Sequence, residues 1–203
     1  MRSLVIRLLT AALVLVAAPG WAGPPTDTVK EYTDAVVKVL EDQSLKATDR
    51  RAAVRKLAVE AFDIQETARR ALGTHWQQRT PAEREEFVGL FADLLESTYI
   101  AQIDKYGGER LRFTDEKLDG DVASVRGKVV TKQGQEVPVE ARMHKKNDRW
   151  LIYDVAIEGI SLVSNYRAQF DRIIRTSSYG ELVKRLRNRG DFLQEKDRRA
   201  SGP

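Results

Sequence analysis

Side chains that could move a proton, hold a metal or attack a carbonyl are scarce in this sequence. Cysteine is absent and histidine occurs twice in 203 residues. That excludes disulfide scaffolds, thiolate-bound metals, iron–sulfur clusters and thiol catalysis. His75 and His144 lie far apart with no second histidine at metal-ligand spacing, so no metal site is expected. Ser161 follows a glycine two positions earlier, in Gly159-Ile160-Ser161-Leu162-Val163, but the second glycine of a nucleophile elbow is missing. It reads better as a helix cap. Gly107-Gly108 is an isolated pair after a helical stretch and makes no phosphate loop. Asp154 and Glu158 are four apart on a strand, which separates them by roughly 13 Å at ~3.3 Å per residue, too far for joint acid–base work on one bond. A structural hydrogen-bonding role suits Asp154 better. Nothing in this inventory calls for an enzyme or a cofactor.

The elements that must position these residues follow from periodicity. From Thr28 to Leu72 apolar residues recur at helical spacing, as Val29, Tyr32, Val36 and Leu40 and then Val54, Leu57 and Ala61, and three helices fit. Asp63-Ile64-Gln65-Glu66 has the form of a capping box, and Gly73 stands where the helix ending at Leu72 needs a positive φ. Thr80-Pro81-Ala82-Glu83 opens the clearest helix. Its stripe of Phe87, Leu90, Phe91, Leu94, Leu95 and Ile103 is expected to run to Gly107-Gly108.

The period then changes. Four runs, Arg110–Leu118, Val122–Lys132, Glu136–Lys145 and Arg149–Ile157, are separated by short polar turns and predict an antiparallel meander. In the first three, odd-numbered residues make the apolar face: Leu111, Phe113, Ala123, Val125, Gly127, Val129, Val137, Val139, Ala141 and Met143. The fourth alternates Leu151, Tyr153, Val155 and Ile157 on one side with Trp150, Ile152 and Ala156 on the other, so it should be covered twice. Helical spacing returns with Ser161 as cap and Leu162, Val163, Tyr166, Phe170, Ile173 and Ile174 as stripe; a last helix follows Ser178. Small residues at Ala123, Gly127 and Ala141 leave two possibilities open. Large helix residues such as Phe87, Phe91, Tyr166 and Phe170 plug the gaps, or the sheet faces a cavity.

With 42% hydrophobic and 32% charged residues the chain has the composition of one globular domain. A formal charge of +4, interleaved along the chain, predicts no nucleic-acid partner. Arg2 and Arg7 flank a short apolar stretch, Leu8–Ala18, followed by Pro19, Gly20, Trp21 and Ala22. That pattern reads as a secretory signal peptide over 1–22, cleaved after Ala22. It leaves a domain over 23–190 and a charged tail over 191–203, expected to be disordered.

The segment Trp150–Phe170, WLIYDVAIEGISLVSNYRAQF, resembles the signature of the MlaC, or toluene-tolerance, family of periplasmic phospholipid-binding proteins. Ala71–Trp76, ALGTHW, and the helix from Glu86 to Tyr99 resemble other recurring blocks of that family. The resemblance implies an α+β, NTF2-like fold in which helices pack on a curved, mainly antiparallel sheet of four to five strands and enclose an apolar cavity. It implies a monomeric periplasmic shuttle, transiently near membranes, that carries a diacyl phospholipid as cargo. Its partners would be an outer-membrane lipoprotein complex and an inner-membrane ABC transporter complex, and its role the maintenance of outer-membrane lipid asymmetry. A similar subgroup, HpnM, is associated with hopanoids, so a polycyclic-lipid carrier is an alternative; an exported non-lipid interaction protein with a filled core is another. A cavity of this kind would be lined by Val125, Val129, Val139, Met143, Tyr153 and Val155 from the strands and by Phe91, Leu95, Tyr99, Ile160, Val163, Tyr166 and Phe170 from the helical parts, with Arg167 as a weak headgroup contact. Two acyl chains hold on the order of 30 methylenes, so exposing them to water costs roughly 20 to 25 kcal/mol at ~0.8 kcal/mol each. A pocket near the upper size of ligand sites, ~1,000 Å³, is therefore expected.

Overall fold

Local capping chemistry delimits most helices of the computed structural model, which describes residues 23–188. The signal peptide over 1–22, and the tail over 191–203 with the last two residues assigned to the domain, lie outside the described residues. The helices are α1 (Pro24–Glu41), α2 (Ala47–Ala61), α3 (Ile64–Leu72), α4 (Pro81–Tyr99), α5 (Leu162–Thr176) and α6 (Tyr179–Arg187). At α4 the box is complete: the Glu83 N–H donates to the Thr80 hydroxyl, and the Thr80 N–H donates back to the Glu83 carboxylate. Ser161 and Ser178 cap α5 and α6 through their hydroxyls, which accept from the Ser164 and Glu181 N–H groups. At α3 the box is half formed. Asp63 accepts from the Glu66 N–H at 3.0 Å, but the Glu66 carboxylate turns to Arg69 and Arg70. The α4 helix stops at Tyr99, short of the glycine pair, and tightens into a 3₁₀ turn over Ile100–Lys105.

Five strands form one antiparallel sheet in sequence order: β1 (Arg110–Asp119), β2 (Val122–Val130), β3 (Glu136–Lys146), β4 (Arg149–Ile157) and β5 (Ile160–Ser161). Asn147 and Asp148, with φ of 50° and 59°, make the two-residue turn between β3 and β4. The class is the expected α+β.

Two bulges alter the alternation that the sequence suggested. In β1 the register slips between Phe113 and Asp115, so that Glu116, not Asp115, stands opposite Val125. Between β3 and β4, Met143 pairs with Ile152 and Arg142 with Asp154, leaving Tyr153 as the extra residue. A bulge shifts every later side chain by one position. Ile152 therefore shares a face with Val155 and Ile157, and the expected grouping of Tyr153 with Val155 does not hold.

The interior divides in two. One cluster joins α3, α4, α5 and α6 through Leu72, Phe87, Phe91, Leu94, Phe170, Leu182 and Leu186. The other lies between the sheet and the α1–α2 hairpin, around Val29, Ala61, Ala123, Val125, Met143 and Ile152.

Candidate functional site: an apolar cleft with a charged mouth

The second cluster does not close. Between α1, α2 and the sheet lies a cavity of about 410 Å³. The helical stripes supply one wall, with Val36, Val37 and Leu40 from α1 and Val54, Leu57, Ala58 and Ala61 from α2. Leu111, Phe113, Val125, Val129, Val139, Ala141, Ile152, Val155 and Ile157 supply the other. The walls are mostly aliphatic, joined by the rings of Tyr32, Phe62, Tyr106 and Phe113, and the small residues Ala58, Ala61 and Ala141 leave space between them. Gly127 has a different reason to be small: a Cβ there would approach the Arg112 carbonyl oxygen at 2.8 Å, beside the β1 bulge.

The hairpin is fastened to the sheet at one end by polar groups, of which Thr26 and Asp63 are buried and Glu116 half-buried. Glu116, moved onto the inner face by the bulge, accepts from the Thr26 N–H at 2.8 Å and the Thr26 hydroxyl at 2.6 Å. It caps α1 from a strand, since Gly23 has no side chain to do so. Asp63, at the α2–α3 junction, is 6% exposed. Its N–H donates to the Ile152 carbonyl, and its carboxylate accepts from Lys146 Nζ at 2.7 Å and lies 3.1 Å from His144 Nε2. Burial pushes the Asp63 carboxyl up. Hydrogen bonds from Lys146 and the Glu66 N–H, with the Lys146 and His144 charges, outweigh it and hold the carboxyl below its usual value. At the other end, near the α1–α2 turn, the tie to the sheet is the exposed pair of Arg110 with Glu41, while α2 is joined by exposed pairs to the 3₁₀ turn, Arg51 with Asp104, and to α4, Arg55 with Glu96.

At that second end the cavity runs into a charged groove of about 530 Å³, lined by Lys30, Asp34, Lys38, Glu41, Asp42 and Arg110 among others. Thr33, Val37, Arg110, Leu111 and Phe113 border both spaces.

Of the residues expected at a lipid site, the structure brings Val125, Val129, Val139 and Val155 to the cleft and packs Met143, fully buried, in the cluster beside it. The others lie elsewhere. Phe91, Val163, Tyr166 and Phe170 are core members of the helical cluster, and Leu95 packs against it. Their rings fill space: Phe91 meets Tyr166 at 5.1 Å and Phe170 at 5.4 Å, both edge-on. The Tyr99 hydroxyl hydrogen-bonds to that of Tyr166, and burial raises both phenols. Tyr153 faces away from the cleft, with the Arg70 guanidinium 3.9 Å from its ring centroid. Ile160 is 65% exposed at the β4–β5 corner. Arg167 donates to the Arg70 carbonyl at 2.8 Å and sits beside Gly73, not at the cleft mouth. Asp154 is structural, accepting from Ser161 Oγ, the Val163 N–H and Arg142. Sequence reasoning assigned no lining role to α1 and α2, although their stripes were visible; their apolar period does not say which face of which sheet they cover.

An α+β domain with an aliphatic cleft, a polar mouth and no metal-holding cluster among the described residues has the architecture of a container for an apolar molecule. Residues 30–188 match the model of the MlaC protein family, and the chain belongs to that family. The intermembrane phospholipid transport system binding protein MlaC of Haemophilus influenzae is 20% identical over 142 residues. That match spans 67% of this chain and 66% of the relative's own length, just under two thirds. The solved structure of a phospholipid-binding protein from Ralstonia solanacearum, in complex with a phospholipid, superposes with a TM-score of 0.75 at 24% identity. It covers 85% of this chain and 99% of that one, a likeness of fold.

Proposed function

We propose that this protein is a non-enzymatic periplasmic carrier that shelters the acyl chains of a diacyl phospholipid between the α1–α2 hairpin and the sheet. The observation that carries the reading is the cleft itself, whose walls are mostly aliphatic and which is left unfilled between the hairpin and the sheet. Membership of the MlaC family and the phospholipid named for the relatives support the same cargo. The work done is continuous burial. With roughly 20 to 25 kcal/mol at stake for two chains, cargo passes directly to a partner, and the carrier cycles between an outer-membrane lipoprotein complex and an inner-membrane ABC transporter complex. No helix of the described residues is long and apolar enough to cross a membrane.

The cleft as it stands, about 410 Å³, is under half the ~1,000 Å³ upper size of ligand sites. Loading two full chains therefore requires the hairpin and the sheet to part. With the Glu116 and Asp63 fastenings as the fixed end, the α1–α2 turn is the end that opens. Native mass spectrometry with lipid extraction, on protein purified from periplasm without detergent, tests the function. A co-purifying diacyl phospholipid is the expected result. A polycyclic lipid would redirect the cargo, and protein that neither carries lipid nor takes it from vesicles would end the carrier reading.

A further inference from the structure

Resting on the carrier reading, we infer that the ion pair Arg110–Glu41 at the cleft mouth reads the headgroup as a zwitterion, the guanidinium taking the phosphodiester and the carboxylate the ammonium. A lipid whose chains fill the cleft must bring its headgroup out where cleft and groove meet, and Arg110 borders both. Its guanidinium contacts Glu41 Oε1 at 2.5 Å and also meets the Tyr106 hydroxyl and the Glu109 carbonyl. The two side chains are 55% and 49% exposed, so each can exchange its partner for a ligand group without unburying a charge. A planar guanidinium matches two phosphate oxygens side by side, and the displaced carboxylate is left beside it to accept an ammonium.

The surroundings favour a neutral pair of charges over a net anion. Lys30, Lys38 and Arg110 in the groove are balanced by Asp34, Glu41 and Asp42, and Lys30 is already held by Asp34 at 2.5 Å. An anionic headgroup without an ammonium would bind Arg110 but leave Glu41 facing it as a like charge. Exposed ion pairs are worth up to about 1 kcal/mol, which converts to a preference of roughly fivefold at 1.4 kcal/mol per decade.

The test presents the delipidated full mature chain with vesicles of equal phosphatidylethanolamine and phosphatidylglycerol and measures the lipids taken up. The wild type is expected to enrich phosphatidylethanolamine roughly threefold to fivefold. Glu41→Lys should reverse the ratio among the lipids taken up, and the exchange Glu41→Arg with Arg110→Glu, which restores a pair, should recover it. Uptake in the vesicle proportions, or a ratio that neither variant moves, overturns the inference and leaves the carrier reading intact. No uptake by the wild type overturns both. Glycerophosphoethanolamine carries the same charges without acyl chains. If it binds as tightly as the lipid, the mouth is a site for a soluble phosphodiester and the inference falls.

Discussion

The two hydrophobic regions of this molecule are built from different side chains and do different work. The helical cluster is aromatic: Phe87, Phe91, Tyr166 and Phe170 touch one another at 5.1 to 5.8 Å between ring centroids, and three of them are completely buried. The cleft is mostly aliphatic, with its few rings, such as Phe62 and Phe113, among many smaller side chains, with alanines on both walls and with about 410 Å³ unfilled. Rings are rigid and large, and rings from two or three helices interlock until no space remains. Valine, leucine and alanine on a hairpin and a sheet leave a slot whose width is set by how the backbones are fastened. A large apolar residue is therefore poor testimony for a binding cavity, and the small ones are better.

Substitutions can break this contrast. The largest effect is expected from Phe91→Ala, which should cost about 3 to 5 kcal/mol of stability in denaturant unfolding while folded molecules keep their lipid. Lipid lost from a protein of undiminished stability would place the aromatic cluster in the binding site. Next comes Val139→Asp, which puts a charge among acyl chains; lipid recovered with the purified protein should vanish while the circular dichroism spectrum stays that of the wild type. Glu116→Ala removes the cap on α1, and a loss of about 1 to 2 kcal/mol is expected by the measure of other helix caps. The Asp63 fastening has a pH signature. Its carboxyl is held below its ordinary value, so its contribution is complete above that ordinary value and lost as the pH falls through the lower, folded one. Urea midpoints between pH 5 and 2 should fall less steeply for Asp63→Asn than for the wild type, and equal slopes would remove Asp63 from the account. The smallest effect is expected at the exposed corner, where Ile160→Glu should change stability by no more than about 0.5 kcal/mol and leave lipid content as it was.

Much of the frame was legible in the sequence. Short-range rules located Thr80, Ser161 and Ser178 as caps, and four strands emerged within a residue or two of their ends because alternation and turn residues are local signals. Of the thirteen residues expected to line the site, four, Val125, Val129, Val139 and Val155, line the cleft. Val125, Val129 and Val139 precede any break in the alternation of their strand and could be read as one face. Tyr153 and Ile152 exchanged faces because a bulge inserts one residue without leaving a mark in the apolar pattern. Phe91, Tyr166 and Phe170 have the stripe of a cavity wall and the stripe of a filled core alike, since helical periodicity reports that a face is buried and not what buries it.

What the sequence by itself determined is the element order, the α+β class and the poverty of catalytic groups, all of which depend on residue type and on spacing within a turn or a strand. Tertiary structure alone decided that α1 and α2, not α4 and α5, face the open side of the sheet, that Glu116 caps a helix ninety residues away, and that Arg110 meets Glu41. Those outcomes rest on contacts between distant segments and on two bulges that reset the sheet's faces, and no local propensity encodes where such segments meet.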